Sequence, residues 1–242
     1  MQNNVSPQSN GHIHPISQTI RDIYNIFREI GFDIASGPEL ELEKYNFDML
    51  NVPADHPARD MQDTFWIKPE KDARADSPRR VLRTQTSAVQ VRYMEQHKPP
   101  LKVIVPGKVF RNEATDATHE MQFFQCEGLV VGENISIADL KGTLEYFLER
   151  FFGKDTKIRL RPSFFPFTEP SMEADVWYKG KWMEIMGSGM VHPNVLRGVG
   201  IDPDKYSGFA FGCGVDRLIM AKHNISDIRM IYQPDLRFVN QF

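Results

Sequence analysis

Cysteine is nearly missing from this chain. Cys126 and Cys213 are the only two among 242 residues, and neither lies in a CxxC spacing. That excludes a disulfide framework and a zinc site of paired cysteines, and leaves free thiols of a cytosolic protein as the expectation. Long apolar runs are missing too. No stretch approaches the roughly 18 residues needed to cross a bilayer, and the first eleven residues are polar where a secretory signal would be apolar. Membrane and export roles are thereby disfavoured. An excess of one charge is also lacking: 29 Lys+Arg stand against 32 Asp+Glu, a formal net charge of −3. With no bulk positive field, any contact with nucleic acid must be local or borrowed from a partner. Glycine-rich phosphate loops are absent as well. GxxxxGK[ST] does not occur, and the nearest approach to GxGxxG, Gly187-Ser188-Gly189-Met190-Val191-His192, ends in histidine. A P-loop and a dinucleotide fold are therefore disfavoured.

What the chain does have is a hydrophobic content of 41% and a charged content of 25%, over a length that supports one sizeable core. Residues 1–14 are rich in Asn, Gln, Ser and Gly, which predicts a disordered leader or linker stub, with a single domain over 15–242. Apolar residues at three- and four-residue spacing (Ile20, Ile23, Tyr24, Phe27, Ile30) predict a helix stopped by Gly31. A short strand follows at 32–35, then a structured loop without a clean period over 46–65 and a charged, solvent-facing hairpin tip or mobile loop over 68–80. Further helices are expected at 87–97, at 137–152 behind a Ser136 N-cap, and at 215–223. Strands are expected at 101–112, 121–131, 157–161, 174–178, 181–186 and 208–212. Many strands joined by short turns, with helices before and between them, predict an α+β fold with a mostly antiparallel sheet.

Two segments carry chemistry. In Val109-Phe110-Arg111-Asn112-Glu113, strand alternation places Arg111 and Glu113 on one face, and the returning strand brings Phe123, Gln125 and Glu127 to one face as well. A solvated hairpin with a cross-strand ion pair is the plain alternative. The second segment, Gly208-Phe209-Ala210-Phe211-Gly212-Cys213-Gly214-Val215-Asp216-Arg217, runs from a small-residue strand into a helix. Arg217 falls in the first turn, where a cation opposes the helix dipole unless an anion is nearby. Tight strand–helix packing, with Arg217 paired to a core carboxylate, would account for it without a ligand.

Together these segments resemble motif 2 (Arg-x-Glu) and motif 3 (Gly-x-Gly-x-acidic-Arg) of class II aminoacyl-tRNA synthetases, with a looser motif 1 around 31–38. Further stretches narrow the resemblance. His56-Pro57-Ala58-Arg59, Leu82-Arg83-Thr84-Gln85-Thr86-Ser87, Asp116-Ala117-Thr118-His119-Glu120, Phe165-Pro166-Phe167-Thr168-Glu169-Pro170 and Gly189-Met190-Val191-His192-Pro193 are similar to the α subunits of bacterial phenylalanyl-tRNA synthetases, over 14–242.

The resemblance implies a class II catalytic fold that joins phenylalanine to ATP as phenylalanyl-adenylate and, with a β subunit in an α2β2 assembly, passes it to tRNA-Phe. It implies that Arg111 holds the α-phosphate, that His119 supports the phosphates, that Arg217 binds the other end of the nucleotide, and that Glu113 contacts adenine or the substrate amine. For the amino acid it implies Gln125 and Glu127, with Ser87 and Gln85, around the ammonium group, Phe165 and Phe167 against the ring, and Ala210 at its para end. Phe165 and Phe167 could equally be core filling. Glu169 matches a family carboxylate at a Mg²⁺ site shared with the β chain, and is otherwise a plain loop acid; Mg²⁺ also accompanies ATP.

Because apolar pockets reject an added hydroxyl only about a hundredfold, tyrosine is expected to compete, with editing left to the β subunit. Asp216 stands where the family pattern has Glu, and Phe124 where it often has His. The resemblance leads to the expectation of a chain that lacks the family's N-terminal coiled-coil arm, beginning at its linker, and lacks the C-terminal anticodon domain of the organellar single-chain type, which favours the (αβ)₂ form. Cytoplasmic localisation is expected. Two rivals remain open at this point: a class II-like paralogue that donates its adenylate to something other than tRNA, and a non-catalytic regulatory subunit.

Overall fold

The computed structural model describes residues 11–55, 64–69, 74, 77–178 and 180–242. His56-Pro57-Ala58-Arg59, residues 70–73, 75 and 76 of the 68–80 loop and the first ten residues of the expected leader lie outside them. Within residues 11–14, His12 Nδ1 lies 2.7 Å from the Phe242 carbonyl oxygen, and His14 caps the first helix by accepting the Ile16 N–H.

That helix, α1 (Pro15–Glu29), follows the apolar spacing and ends before Gly31, whose φ of 81° suits a residue without Cβ. Its buried face carries Ile23, Ile26 and Phe27, and the Phe27 ring stacks on Phe147 and Phe211 at 4.9 and 5.4 Å. After β1 (Asp33–Ile34) come β2 (Leu40–Leu42), α2 (Glu43–Asn46) and β3 (Arg80–Leu82), with β2 and β3 forming a separate antiparallel pair. The remaining elements are α3 (Ser87–Gln96), β4 (Leu101–Phe110), β5 (Gln122–Gly132), α4 (Ile137–Phe152), β6 (Lys157–Phe165), β7 (Thr168–Tyr178), β8 (Lys181–Val191), α5 (Pro193–Gly198), β9 (Ser207–Gly214), α6 (Val215–His223), α7 (Arg229–Tyr232) and α8 (Leu236–Val239).

Seven strands form the main sheet in the order β1-β4-β5-β9-β8-β7-β6; only β1–β4 is a parallel pair. The expected α+β, mostly antiparallel architecture is the one observed. Alternation along each strand splits the core. Cys126, Val130, Phe209, Phe211 and Cys213 face the helices α1, α4 and α6, whereas Leu129, Val131, Val103 and Val105 face α3 and α5.

The expected boundaries need several corrections. β6 to β9 extend beyond the runs read as strands, because Pro162, Pro170 and the glycines of β8 and β9 look like breakers in one dimension. In the sheet, register shifts between Ser163 and Phe165 and between Thr168 and Ser171 absorb the irregularity. β4 stops at Phe110, two residues short of the expected end. β2, α2 and β3 are three- and four-residue pieces, below any periodicity window, and Arg80 belongs to a strand rather than a loop. Tertiary contacts hold them: Glu41, fully buried on β2, accepts hydrogen bonds from Arg92 of α3 at 2.6 and 2.9 Å. The Ser136 N-cap is present and forms a capping box with Asp139.

Candidate active site

A cavity of about 410 Å³ opens on the α3 side of the sheet. Its floor follows from strand register. Glu127 of β5 faces Gly212 of β9, Gly212 faces Gly187 of β8, and Gly187 faces Glu173 of β7. Two consecutive glycines in that row leave a gap between the carboxylates. A Cβ on Gly212 would stand 2.9 Å from Glu127 Cγ, and one on Gly187 would stand 2.8 Å from Phe165 Cζ. The glycines thus make room first for the protein's own side chains: the Glu127 stem on one side and the Phe165 ring on the other. In the next row Leu129 faces Ala210, and Ala210 also lines the cavity. The Phe165 and Phe167 rings lie nearly parallel, 9° apart with centroids 5.8 Å apart, and both contribute to the wall. Together these residues form a flat apolar slot beside a buried carboxylate.

That carboxylate is only 5% exposed. The Ser87 hydroxyl donates to Glu127 Oε2, and Gln90 Nε2 donates to the same oxygen at 3.3 Å. Burial pushes the Glu127 pKa up to about 7, against the opposing pull of Ser87 and the backbone of Thr86. Gln125, two residues earlier on the same strand face, has a buried Oε1 with no hydrogen-bond partner. Gln85 lines the cavity as well, and its Nε2 donates to the Asn46 carbonyl of α2 at 3.4 Å. An acidic group and an unpaired amide oxygen facing one space make a receptor for a cation.

The opposite end is cationic. Arg111 lies just beyond β4, where its N–H still donates to the Met121 carbonyl at 3.0 Å. Its Nε is buried with no hydrogen-bond partner, and its guanidinium sits 4.9 Å from the Phe123 ring centroid. Burial lowers the Arg111 pKa. Nearby Arg217 pushes it the same way, while Glu113 and Glu127 oppose. Two guanidinium groups from separate parts of the chain thus feel one another across a shared cavity, which Glu113 also lines. Arg217 stands in the first turn of α6, with Glu184 of β8 as a partner at 3.9 Å; both side chains are about half exposed. The proposed core-carboxylate partner is absent from this pair. The buried carboxylate here is Asp216, whose two oxygens are taken by the Phe124 N–H (2.7 Å) and the Tyr232 hydroxyl (2.6 Å). Asp216 therefore joins α6 to β5 and α7, and Phe124 packs against the core.

His119 reaches the cavity from an exposed turn in which Asp116 accepts the Thr118 and His119 backbone N–H groups at 2.6 and 2.8 Å. Those bonds hold the Asp116 carboxyl well below the usual range. The turn is tied to the segment before α7 by the Ile228 N–H donating to the Ala117 carbonyl, 2.9 Å.

Eleven of the twelve residues singled out from the sequence line this one cavity: Arg111, Glu113, His119, Arg217, Ser87, Gln85, Gln125, Glu127, Phe165, Phe167 and Ala210. Glu169 does not. It is exposed on β7 outside the cavity wall, and no group of three or more His, Cys, Asp or Glu side chains able to hold a metal ion occurs among the described residues. Residues the sequence reading missed are Gln90, Glu173 and Glu184. The spacing of Gln90, three residues after Ser87 on one helix, was a usable signal. Nothing local marks Glu173 and Glu184, which reach the site by pairing of β7 with β8.

The class defined by this fold and its two convergent arginines is borne out by comparison: residues 1–242 match the family described as tRNA synthetases class II core domain (F). The chain is 53% identical over 249 residues to the phenylalanine–tRNA ligase alpha subunit of Caldanaerobacter subterraneus subsp. tengcongensis, covering 98% of this chain and 70% of that one. It is 55% identical over 234 residues to that of Edwardsiella ictaluri (96% and 68% covered), and 53% over 247 residues to that of Clostridium acetobutylicum (97% and 70%). The chain belongs to the family of phenylalanine–tRNA ligase alpha subunits.

Proposed function

We propose that the chain activates phenylalanine with ATP and, with a β subunit, esterifies it to tRNA-Phe. One observation carries this reading: a single cavity has at one end an arginine, Arg111, whose buried Nε lacks a hydrogen-bond partner, and at the other a buried carboxylate beside an aromatic slot. A phenylalanine ring fits the slot against the stacked Phe165 and Phe167, with Ala210 limiting its depth. The ammonium group then meets Glu127 and Gln125, oriented by Ser87 and Gln85. This places the carboxylate of the substrate toward Arg111, where the α-phosphate of ATP is bound.

An oxygen of that carboxylate attacks the α-phosphorus. The new C–O–P bond forms as the α–β phosphoanhydride breaks, and pyrophosphate leaves with its electron pair. A terminal ribose hydroxyl of tRNA subsequently attacks the carbonyl carbon and releases AMP. No enzyme nucleophile is needed; the work is alignment and neutralisation of growing negative charge. Arg111 supplies the latter at the α-phosphate, and its missing hydrogen-bond partner is what an anion would restore. Arg217 and His119 hold the outer parts of the nucleotide, and Glu113 the adenine side or the substrate amine.

Mg²⁺ enters as part of the nucleotide substrate. Glu173 and Glu184 face the cavity, but both pair with Arg161, at 2.7 and 3.7 Å. Glu169 offers a single exposed carboxylate on this chain. These residues do not build a cage for a resident ion. An (αβ)₂ assembly in the cytoplasm completes the reading; among the described residues no helix is long and apolar enough to cross a membrane.

Phenylalanine-dependent exchange of pyrophosphate into ATP, measured on this chain together with its β partner, tests the proposal. Exchange followed by charging of tRNA-Phe is expected. Failure of exchange in the assembled complex would remove the enzymatic reading, and exchange without charging would favour a paralogue that passes its adenylate elsewhere.

A further inference from the structure

Gln90 is a buried amide in an otherwise apolar stretch of α3, flanked by Val89 and Val91. Its Nε2 lies 3.3 Å from Glu127 Oε2 and 3.3 Å from the Gly128 carbonyl oxygen. Both partners are pure acceptors, so chemistry settles which end of the amide faces them: the NH₂ group does, and its two hydrogens are both engaged. Gln90 lines the cavity, yet it has no donor left for a ligand. One hydrogen anchors it to the β5 backbone, and the other fixes the carboxylate next to that backbone. Ser87, one turn earlier on the same helix face, donates to the same carboxylate oxygen. Ser87 and Gln90 both donate to Oε2, beside the Thr86 backbone, and of these groups Gln90 is the one that also binds the β5 backbone at Gly128 and so ties the orientation of the carboxylate to that strand.

We propose that Gln90 is a positioning residue for amino-acid recognition: its amide locks Glu127 against the β5 backbone and so sets the direction of the charge offered to the ammonium group of the substrate. This rests on the assignment of Glu127 to the ammonium group made above. Gln90 touches no reacting atom and acts only through that carboxylate.

The expected signature is selective. Gln90→Met keeps the length and apolar bulk of the side chain but removes both donors. In the assembled α–β complex, the affinity of 2-phenylethylamine, which has the ring and the ammonium group without a carboxylate, should fall about tenfold. The affinity of 3-phenylpropionate, which has the ring and the carboxylate without the amine, should stay within a factor of two. The KM for phenylalanine in pyrophosphate exchange should rise in parallel with the first, with the KM for ATP unchanged. Equal losses for the two analogues would show a merely structural role and overturn the proposal, as would no loss for either. Glu127→Gln measured beside it separates the two assignments. Loss of 2-phenylethylamine binding in Glu127→Gln but not in Gln90→Met defeats the role of Gln90 alone. Unchanged binding in Glu127→Gln defeats the ammonium assignment itself.

Discussion

The two ends of the cavity are built differently. At the amino-acid end Ser87, Gln90 and Glu127 ride on a helix or strand and are buried: Glu127 is held by the other two, and the slot is framed by paired strands. At the nucleotide end, the arginines sit at the margins of elements, Arg111 past the end of β4 and Arg217 in the first turn of α6, and His119 lies in an exposed turn. The first end is fixed in shape before substrate arrives, as discrimination of a small side chain requires. The second is left electrostatically incomplete, with two cations facing one another, and is completed by the anion it binds.

If that contrast holds, substitutions at the two ends should separate turnover from affinity. The largest effect is expected for Arg111→Ala: a loss of about 3 kcal/mol, roughly a hundredfold in kcat of pyrophosphate exchange, by comparison with removal of an oxyanion donor. A rise in KM at constant kcat would place Arg111 in ground-state binding instead. Glu127→Gln comes next, raising the KM for phenylalanine by about 1.5–2 kcal/mol, ten- to thirtyfold, while sparing the KM for ATP. If ATP suffers equally, the two ends are not independent.

The same residue gives a pH test. With its pKa raised to about 7, Glu127 of the empty site is protonated below that value and charged above it. The KM for phenylalanine should therefore rise as pH falls through 7. For stability the sign is reversed: a carboxyl whose folded pKa is raised stabilises the fold below its ordinary pKa, and that contribution is lost as pH rises through about 7. Glu127→Gln should accordingly raise the Tm of the substrate-free complex at pH 8 and leave it nearly unchanged at pH 5. A lower Tm at pH 8 would mean that the buried charge is compensated in the wild-type fold.

A smaller effect, about tenfold in the KM for ATP, is expected for Arg217→Ala, because its guanidinium is half exposed and already screened. The smallest is Ala210→Gly, which should shift selectivity toward para-substituted phenylalanines by a few fold with little change for phenylalanine itself. Unchanged selectivity would move the para end of the ring away from Ala210.

Much of this site was readable in one dimension because it rests on alternation. Gln125 and Glu127, two apart on a strand, had to share a face, and Arg217 in a first helical turn was anomalous without an anion. The helix at 137–152 was equally legible from its Ser136 cap, and the helix at 215–223 was expected as well. The short elements β2, α2 and β3 were not. Three or four residues carry no period, and what holds them, such as the Arg92–Glu41 pair or the Asn46–Thr84 amide contacts, joins residues about forty to fifty positions apart.

The sequence by itself determined the secondary structure of the longer elements, the kinds of group at the site and the chemistry they suit, because side-chain periodicity and residue type are local properties. Only the tertiary structure decided which glycines make room for which side chains, that Asp216 serves the fold while Arg217 faces the cavity, and that Gln90 spends both its hydrogens on the neighbourhood of Glu127. Those outcomes depend on register between strands and on burial. Both arise when distant segments pack together, and neither is written in the order of neighbouring residues.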